Sequence, residues 1–278
     1  MKVSFIGTSN AAVCVAANLK SKGFDVVSVY SPDIKTAVDA AIRINCKARW
    51  NLERTVSEGE AVFITVSEKS TKQILHDIYK LKPRDKIFCF LSQIETSDIA
   101  MLGSSNTCFS FAVMANINKK EIVDLSDIQA NIEGSGPKYW DFIDELDEKG
   151  VFYKVITKET KCAYALSVEM VTELLSALLS TASDILENAG ITDKKFLKSL
   201  VYDNINTYFS SPKELSYFDT PLLTGSVASI NRHFDALDMY AGASARFIYK
   251  MLAFNVIEHS GLKKSEIARL KKLILDKK

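Results

Sequence analysis

The sequence predicts an α/β fold: a doubly wound sheet in the first half of the chain, then an all-α half. Three observations carry this. Strand and helix patterns alternate from residue 2 to residue 156. Strand patterns then stop, and long amphipathic helices fill the rest. Met1 to Tyr30 reads strand, tight turn, helix, strand, the βαβ unit of dinucleotide-binding sheets.

Lys2-Val3-Ser4-Phe5-Ile6 has the β-branched and aromatic bias of an inner strand, and Gly7 ends it. Asn10 to Lys22 places Ala11, Val15, Ala16 and Leu19 on one helical face, and Gly23 stops that helix. A strand over Asp25–Tyr30 and a helix over Lys35–Ile44 follow. Glu60–Val66 is an apolar run of the kind that parallel strands buried on both faces require. Helical spacing covers Ser70–Tyr79, and Lys86–Leu91, Thr107–Val113 and Ile128–Glu133 read as strands. Gly134-Ser135-Gly136-Pro137 reads as a turn, with Ser135 as N-cap and Pro137 in the first helical turn. Val151–Ile156 is the last predicted strand.

Glu159–Asn188 then forms one long helix, closed by Gly190. Thr192 caps a helix over Asp193–Tyr208, which Ser211-Pro212 breaks. Ser226 caps a helix through Leu237, and Met239–His259 and Ser265–Leu275 supply two more. The expected domains are therefore 1–157, a Rossmann-type sheet, and 158–278, all-α. The long helix is apolar on more than one side, so its surplus face meets either a second subunit in a homodimer or a neighbour in its own domain.

The chain has 278 residues, 47% of them hydrophobic and 25% charged, with a formal charge of +1. A balance this close to neutral offers no electrostatic footprint for nucleic acid. Met1-Lys2 runs straight into the first strand, and no apolar run approaches about 18 residues without a polar break. No secretory signal and no membrane span are expected, which points to the cytoplasm. The five cysteines are scattered and form no C-x-x-C pair, as expected of reduced, buried thiols. His76, His233 and His259 lie too far apart in sequence to suggest a metal site.

The chemistry concentrates at the carboxyl ends of the predicted strands, where open α/β sheets bind ligands. Gly7-Thr8-Ser9-Asn10-Ala11-Ala12 matches the dinucleotide pattern G-x-G-x-x-G/A at its first and third conserved positions. Ser9 replaces the middle glycine, although its hydroxyl can donate to a phosphate oxygen. Gly7, Thr8, Ser9, Asn10 and Ala11 are the pyrophosphate candidates, at a helix N-terminus that favours anions. Ser31 and Lys35 suit the 2′-phosphate of NADP, and Ser31-Pro32-Asp33 equally suits a plain turn and cap. Thr65, Val66 and Ser67 end a strand where the inner ribose binds, with Ser67 as a helix cap the alternative reading. Ser92 and Gln93 follow the next strand, facing either a substrate and the nicotinamide or solvent. Lys161 is the candidate catalytic residue, a cation to neutralise an acidic substrate or polarise a carbonyl, unless it is a solvated surface lysine. Tyr164, Tyr240 and His233 read first as packing residues.

With this layout the chain resembles β-hydroxyacid dehydrogenases and pyrroline-5-carboxylate reductases. It is most similar to a bacterial Rossmann-like family with a C-terminal helical domain of unknown function, whose members are labelled NADP oxidoreductases. The resemblance rests on Gly7–Ala12, Val29-Tyr30-Ser31, Phe63–Val66, Phe90–Ile99, Lys161–Tyr164 and Pro221–Phe234. It implies an NADP-binding N-terminal domain, a helical domain that dimerises, and a substrate site between them. The chain departs from the family at Ala112-Val113, where the family has His-Pro, and at Ala165, Thr172, Thr224 and Ser226, where it has His, Asn, Arg and Asp. Most of these changes remove a polar or ionisable side chain that proton transfer would use. Two functions therefore stand: an NADP-dependent oxidoreductase acting on a small carbonyl or imine, or a catalytically inactive protein that binds a nucleotide or metabolite on the same fold.

Overall fold

The computed structural model describes residues 1–100, 102–115, 117, 121–125, 130–210 and 220–277. The chain divides into two compact units, Met1–Glu169 and Met170–Lys278. The sequence places its boundary one helix earlier, at 157/158.

In the first unit, β1 (Lys2–Ile6), α1 (Asn10–Ser21), β2 (Asp25–Tyr30), α2 (Ile34–Ile44), β3 (Lys47–Arg49) and α3 (Leu52–Glu58) form one half. The other half holds β4 (Ala61–Ile64), α4 (Glu68–Lys80), β5 (Ile87–Leu91), a 3-10 turn over Ser97–Ala100, β6 (Thr107–Val113), β7 (Ala130–Ser135), α5 (Tyr139–Glu148), β8 (Tyr153–Val155) and α6 (Lys158–Glu169). The strands make one sheet in the order β3-β2-β1-β4-β5-β6-β7-β8. Its first six strands follow the Rossmann order, with β1 and β4 adjacent where the winding reverses. Pairing is parallel except for β6 with β7, which run antiparallel.

Both faces of the sheet are covered, which explains the apolar runs. Along β4, Ala61 and Phe63 face one core and Val62 and Ile64 the other, all at most 2% exposed. Helices α1, α2 and α5 pack on the first face, and α3 and α4 contribute to the second. Stacked Phe5 and Phe63 (5.0 Å), with Phe111 edge-on to Phe63 (5.6 Å), fill the first core. Asn18 of α1 is buried and pins a neighbouring segment. Its Nδ2 donates to the Val123 carbonyl (2.7 Å), and its Oδ1 accepts from the Leu125 amide (2.7 Å).

Some expectations are corrected. Strand β3 and helix α3 are absent from the sequence reading, being three and seven residues long, too short to show a period. Gly134 and Ser135 belong to β7 rather than to a turn, and α5 starts at Tyr139 with Lys138, not Ser135, at its N-cap. A Cβ at Gly134 would lie 2.4 Å from the Phe109 ring, so glycine lets β7 continue pressed against β6. Residues 128 and 129 of that predicted strand lie outside the described residues. Cys14 and Cys89 are buried, but Cys46 and Cys108 are only half-buried and Cys162 is exposed. All five cysteines are free thiols.

The second unit is helical: a π-turn over Met170–Leu174, α7 (Leu175–Asn188), α8 (Lys195–Ser210), α9 (Pro221–Thr224), α10 (Val227–Tyr240), α11 (Ala243–Glu258) and α12 (Lys264–Asp276). Its core joins Ile230, Phe234 and Leu237 of α10 to Ala253 and Ile257 of α11 and Leu270 and Ile274 of α12. The Asp193 carboxylate, rather than Thr192, accepts the first amide of α8 (3.0 Å). Ser226 holds the N-cap position of α10 as expected, its hydroxyl on that of Ser229 (3.0 Å). The predicted helix over Met239–His259 is instead broken at Ala241 and Gly242, both extended. The expected break at Ser211-Pro212 lies outside the described residues. Helix Lys158–Asn188 is long and apolar enough by composition to cross a membrane, a feature the sequence reading did not anticipate.

At the β3 margin, Arg49 forks onto Glu58 of α3, Nη2 at 2.7 Å and Nε at 3.0 Å, and Arg54 joins at 3.1 Å. The Arg49 guanidinium holds the Glu58 carboxyl down to about 2. A carboxyl lowered on folding stabilises above its unfolded value and loses that contribution as pH falls toward its folded value. Glu58→Gln should therefore cost about 1 kcal/mol at neutral pH. The gap from the native protein should close between pH 4.5 and about 2, read by denaturant unfolding across an acid series.

Candidate functional site

The site begins where β1 leaves the sheet. The Gly7 amide donates to the Tyr30 carbonyl (3.0 Å) and the Thr65 amide to the Ile6 carbonyl (2.8 Å). Gly7 has φ +112°, and a Cβ there would stand 2.5 Å from both the carbonyl and hydroxyl oxygens of Thr65. Only glycine fits that turn. Thr8 is half-buried, and Ser9 is exposed at the N-cap of α1. The Ser9 hydroxyl accepts the Ala12 amide (3.1 Å), and its carbonyl accepts Val13 (3.0 Å). The side chain that replaces the usual glycine is thus folded back onto the helix, and its own proton stays available to a ligand. The amides of Asn10 and Ala11, in the first turn, have no intrahelical acceptor.

Ser31 is buried at the end of β2, where its hydroxyl accepts the Asp33 amide (3.2 Å) and the Thr36 hydroxyl (2.8 Å). Asp33 caps α2 by accepting the Lys35 amide (2.9 Å), and the Lys35 side chain is exposed. Thr65 is buried with its hydroxyl on the Ile6 carbonyl (3.2 Å). Val66 is half-buried, and Ser67 is exposed at the N-cap of α4, its hydroxyl 3.1 Å from that of Ser70. The turn-and-cap alternative thus describes what the Ser31 hydroxyl does, while Lys35 and Ser67 face outward.

Beyond β5, the Ser92 hydroxyl accepts the amides of Ile94 (3.2 Å) and Glu95 (2.9 Å). Gln93 donates to the Val113 carbonyl (2.8 Å), tying this segment to β6. Lys161 is not a surface lysine. It is 1% exposed, and its ammonium donates to the Ser92 carbonyl (2.9 Å). Burial pushes its pKa below the usual lysine range, and the charge of Glu133 pulls it back up. Its ammonium keeps two further N–H donors, but Lys161 lines neither of the two cavities over these strand ends, so it acts on a ligand there through the Ser92 segment.

Sequence reasoning missed Glu133 and Ser110. Glu133, on β7, is 3% exposed and accepts both the amide and the hydroxyl of Ser97 (2.7 Å each). Ser110, opposite it on β6, donates to the Glu95 carbonyl (2.7 Å). The available signal was an acid beside Ile132 in a predicted strand, Ile128–Glu133.

A cavity of about 260 Å³ starts at Ala11 and Val15 of α1 and reaches Ser92, Gln93 and Ala112 over the ends of β5 and β6. On the opposite face a cavity of about 330 Å³ runs from Val66 and Lys72 to the same Ser92–Glu95 segment. Gly7 to Ala11, Thr65 to Ser67, and Ser92 thus gather along one sheet edge. Ser31 and Lys35 stand one strand away, beyond β1. His233 is bound to the Tyr249 hydroxyl (2.8 Å) and His259 to the Asn255 carbonyl (2.8 Å). His76 is exposed on α4. Lys154 stands over the Tyr164 ring (5.6 Å), and the Tyr240 carbonyl accepts from Asn188 (2.9 Å).

No family model and no curated protein matches the chain. Solved structures do. A Bacteroides fragilis protein assigned provisionally as an NADP oxidoreductase is similar at TM-score 0.75 and 18% identity, over 92% of this chain and 98% of that one. The imine reductase of Streptomyces aurantiacus is similar at TM-score 0.65 and 15% identity, over 97% and 99%. A reductive aminase from Aspergillus terreus is similar at TM-score 0.58 and 13% identity, over 99% and 92%. The chain shares their fold. At these identities the likeness speaks for architecture, a Rossmann-type sheet followed by helices.

Two substitutions test the turn. Gly7→Ala should destabilise the protein by about 2 kcal/mol or more, because left-handed strain and a backbone clash act together. Ser9→Ala should cost about 1 kcal/mol through the lost cap, and Ser9→Gly only a few tenths. Thermal and denaturant unfolding of the three variants reads this order.

Proposed function

We propose that this protein is an NADP-dependent oxidoreductase that moves hydride to or from a small carbonyl or imine carbon. The support is the continuous edge from the free amides of Asn10 and Ala11 to the cavity ending at Ser92 and Ala112. The residues present fit a dinucleotide. The Ser9 side chain is turned onto α1, and the turn at Gly7 brings backbone donors to the helix N-terminus. The same fold, in the Aspergillus terreus reductive aminase, was solved with NADPH and ethyl-5-oxohexanoate.

In this reading the amides of Asn10 and Ala11 and the Ser9 hydroxyl hold the diphosphate. Exposed Lys35 neutralises the 2′-phosphate, while Ser31 shapes the turn that presents it. Thr65 keeps the Gly7 turn closed, and Val66 and Ser67 stand beside the inner ribose. The bound nicotinamide supplies the hydride chemistry. The apolar side chains Leu91, Phe111 and Val113 exclude water around the reacting carbon.

One observation favours a second reading. Among the described residues, none lining the 260 Å³ cavity is ionisable, so these offer no acidic or basic group for proton transfer. A protein that binds a nucleotide or metabolite without turning it over would have such a lining.

NADPH at about 100 times its Kd should stabilise the protein by roughly 2.7 kcal/mol, seen as a rise in Tm. NADH should give less, and Lys35→Glu should abolish the preference. No shift with either nucleotide overturns the oxidoreductase reading. A shift without oxidation of NADPH across a panel of ketones and imines establishes the second.

We further propose a homodimer in the cytoplasm. Leu166, Met170, Val171 and Leu174 of helix Lys158–Asn188 are all more than half exposed, a face that a second copy would cover. Light scattering should give twice the chain mass for the native protein and a monomer for Val171→Glu with Leu174→Glu. Recovery only in detergent would point to a membrane instead.

A further inference from the structure

The segment between β5 and the 3-10 turn, Ser92–Ser97, is held at its two ends by two buried groups that carry opposite charge when ionised. At one end the Lys161 ammonium, on α6, donates to the Ser92 carbonyl (2.9 Å). At the other the Glu133 carboxylate, on β7, accepts the amide and hydroxyl of Ser97 (2.7 Å each). Ser110 sits between them. It faces Glu133 across the β6–β7 pair, and its hydroxyl donates to the Glu95 carbonyl (2.7 Å) and lies 3.5 Å from the Ser92 carbonyl. Lys161 and Glu133 are 1% and 3% exposed. Burying ionisable groups is costly, and a loop that merely had to close would be held by neutral groups. The clamped segment is also the wall between the two cavities, since Ser92 and Gln93 line both.

We infer that Lys161 and Glu133 are positioning residues, which hold Ser92–Ser97 in place as the wall of the ligand crevice, and that Lys161 acts without touching substrate. The link to a ligand rests on the nucleotide reading above, whereas the clamp itself does not. Ser92 and Gln93 present their backbone where the nicotinamide end of a dinucleotide would lie. A segment already ordered in the free protein removes an ordering penalty from binding. The charged and titratable groups acting on Lys161 are Glu133 on β7, Cys162 on its own helix and Glu95 in the clamped segment. Asp98, next to Ser97, is paired with Lys158.

Hydrogen–deuterium exchange on the full, nucleotide-free chain tests the clamp. In Lys161→Met the amides of Ile94, Glu95 and Ser97 should exchange about tenfold faster, while those of β5 and β6 stay within about twofold. Lys161→Arg, which keeps a charged donor, should restore most of the protection. Equal acceleration through β5 and β6, or none at Ile94–Ser97, overturns the inference. Should Lys161→Met not fold, Ser110→Ala is judged by the same comparison.

A pH series separates the buried charge from simple packing. Lys161 titrates lower in the folded state than its unfolded value of 10.5. Between those two values the unfolded chain binds more protons, so stability relative to Lys161→Met should rise with pH. A difference that falls with pH overturns burial as the dominant influence on Lys161. NADPH affinity is read last. It should fall about fivefold in Lys161→Met if the nucleotide reading holds. An unchanged affinity overturns the positioning role in binding, and no binding by the native protein overturns only the nucleotide reading.

Discussion

The constraint on which the architecture turns is the contact between Gly7 and Thr65. Strand β1 pairs in parallel with both β2 and β4, and all three must end at one level for the chain to turn into α1. The Gly7 backbone crosses Thr65 so closely that no Cβ fits, and the Thr65 amide and hydroxyl both close on the Ile6 carbonyl. That contact sets the angle at which α1 leaves the sheet and brings its first amides to the crevice. The cap at Ser9, the burial of Ala12, Val13 and Ala16 against the first core, and the cavity at Ala11 follow from it.

Much of this was legible in the residues. The apolar runs of β4 and β5 and the alternation of strand and helix announced a sheet buried on both faces, because only covered parallel strands tolerate such continuity. Gly7 was legible for the same kind of reason, since a glycine ending an inner strand before a helix has a steric job. The short elements were not. A three-residue strand such as β3 has no period to read, and the break between α10 and α11 rests on two extended residues, Ala241 and Gly242, inside a continuous helical pattern.

The site was readable in outline only. Its backbone elements follow from motif spacing, but what each side chain does depends on neighbours distant in sequence. Ser31 and Ser92 are polar residues at strand ends, as binding groups would be, yet both hydroxyls accept hydrogen bonds from nearby residues. Lys161 shows the reverse. As one of 35 basic residues it had no distinguishing mark, and the carbonyl it bonds, Ser92, is far from it in sequence. Glu133 gave a fainter hint, a carboxylate beside Ile132 in a predicted strand.

The margins of the sheet carry a consequence of their own. Both outermost strands, β3 and β8, are only three residues long, and each bears a lysine, Lys47 and Lys154. Short, cationic borders are poor templates for adding a foreign strand, because too few backbone groups stand free in a row and like charges meet. Runaway fibre-like stacking through this domain is thereby discouraged, and whatever assembly the protein adopts is left to its helices.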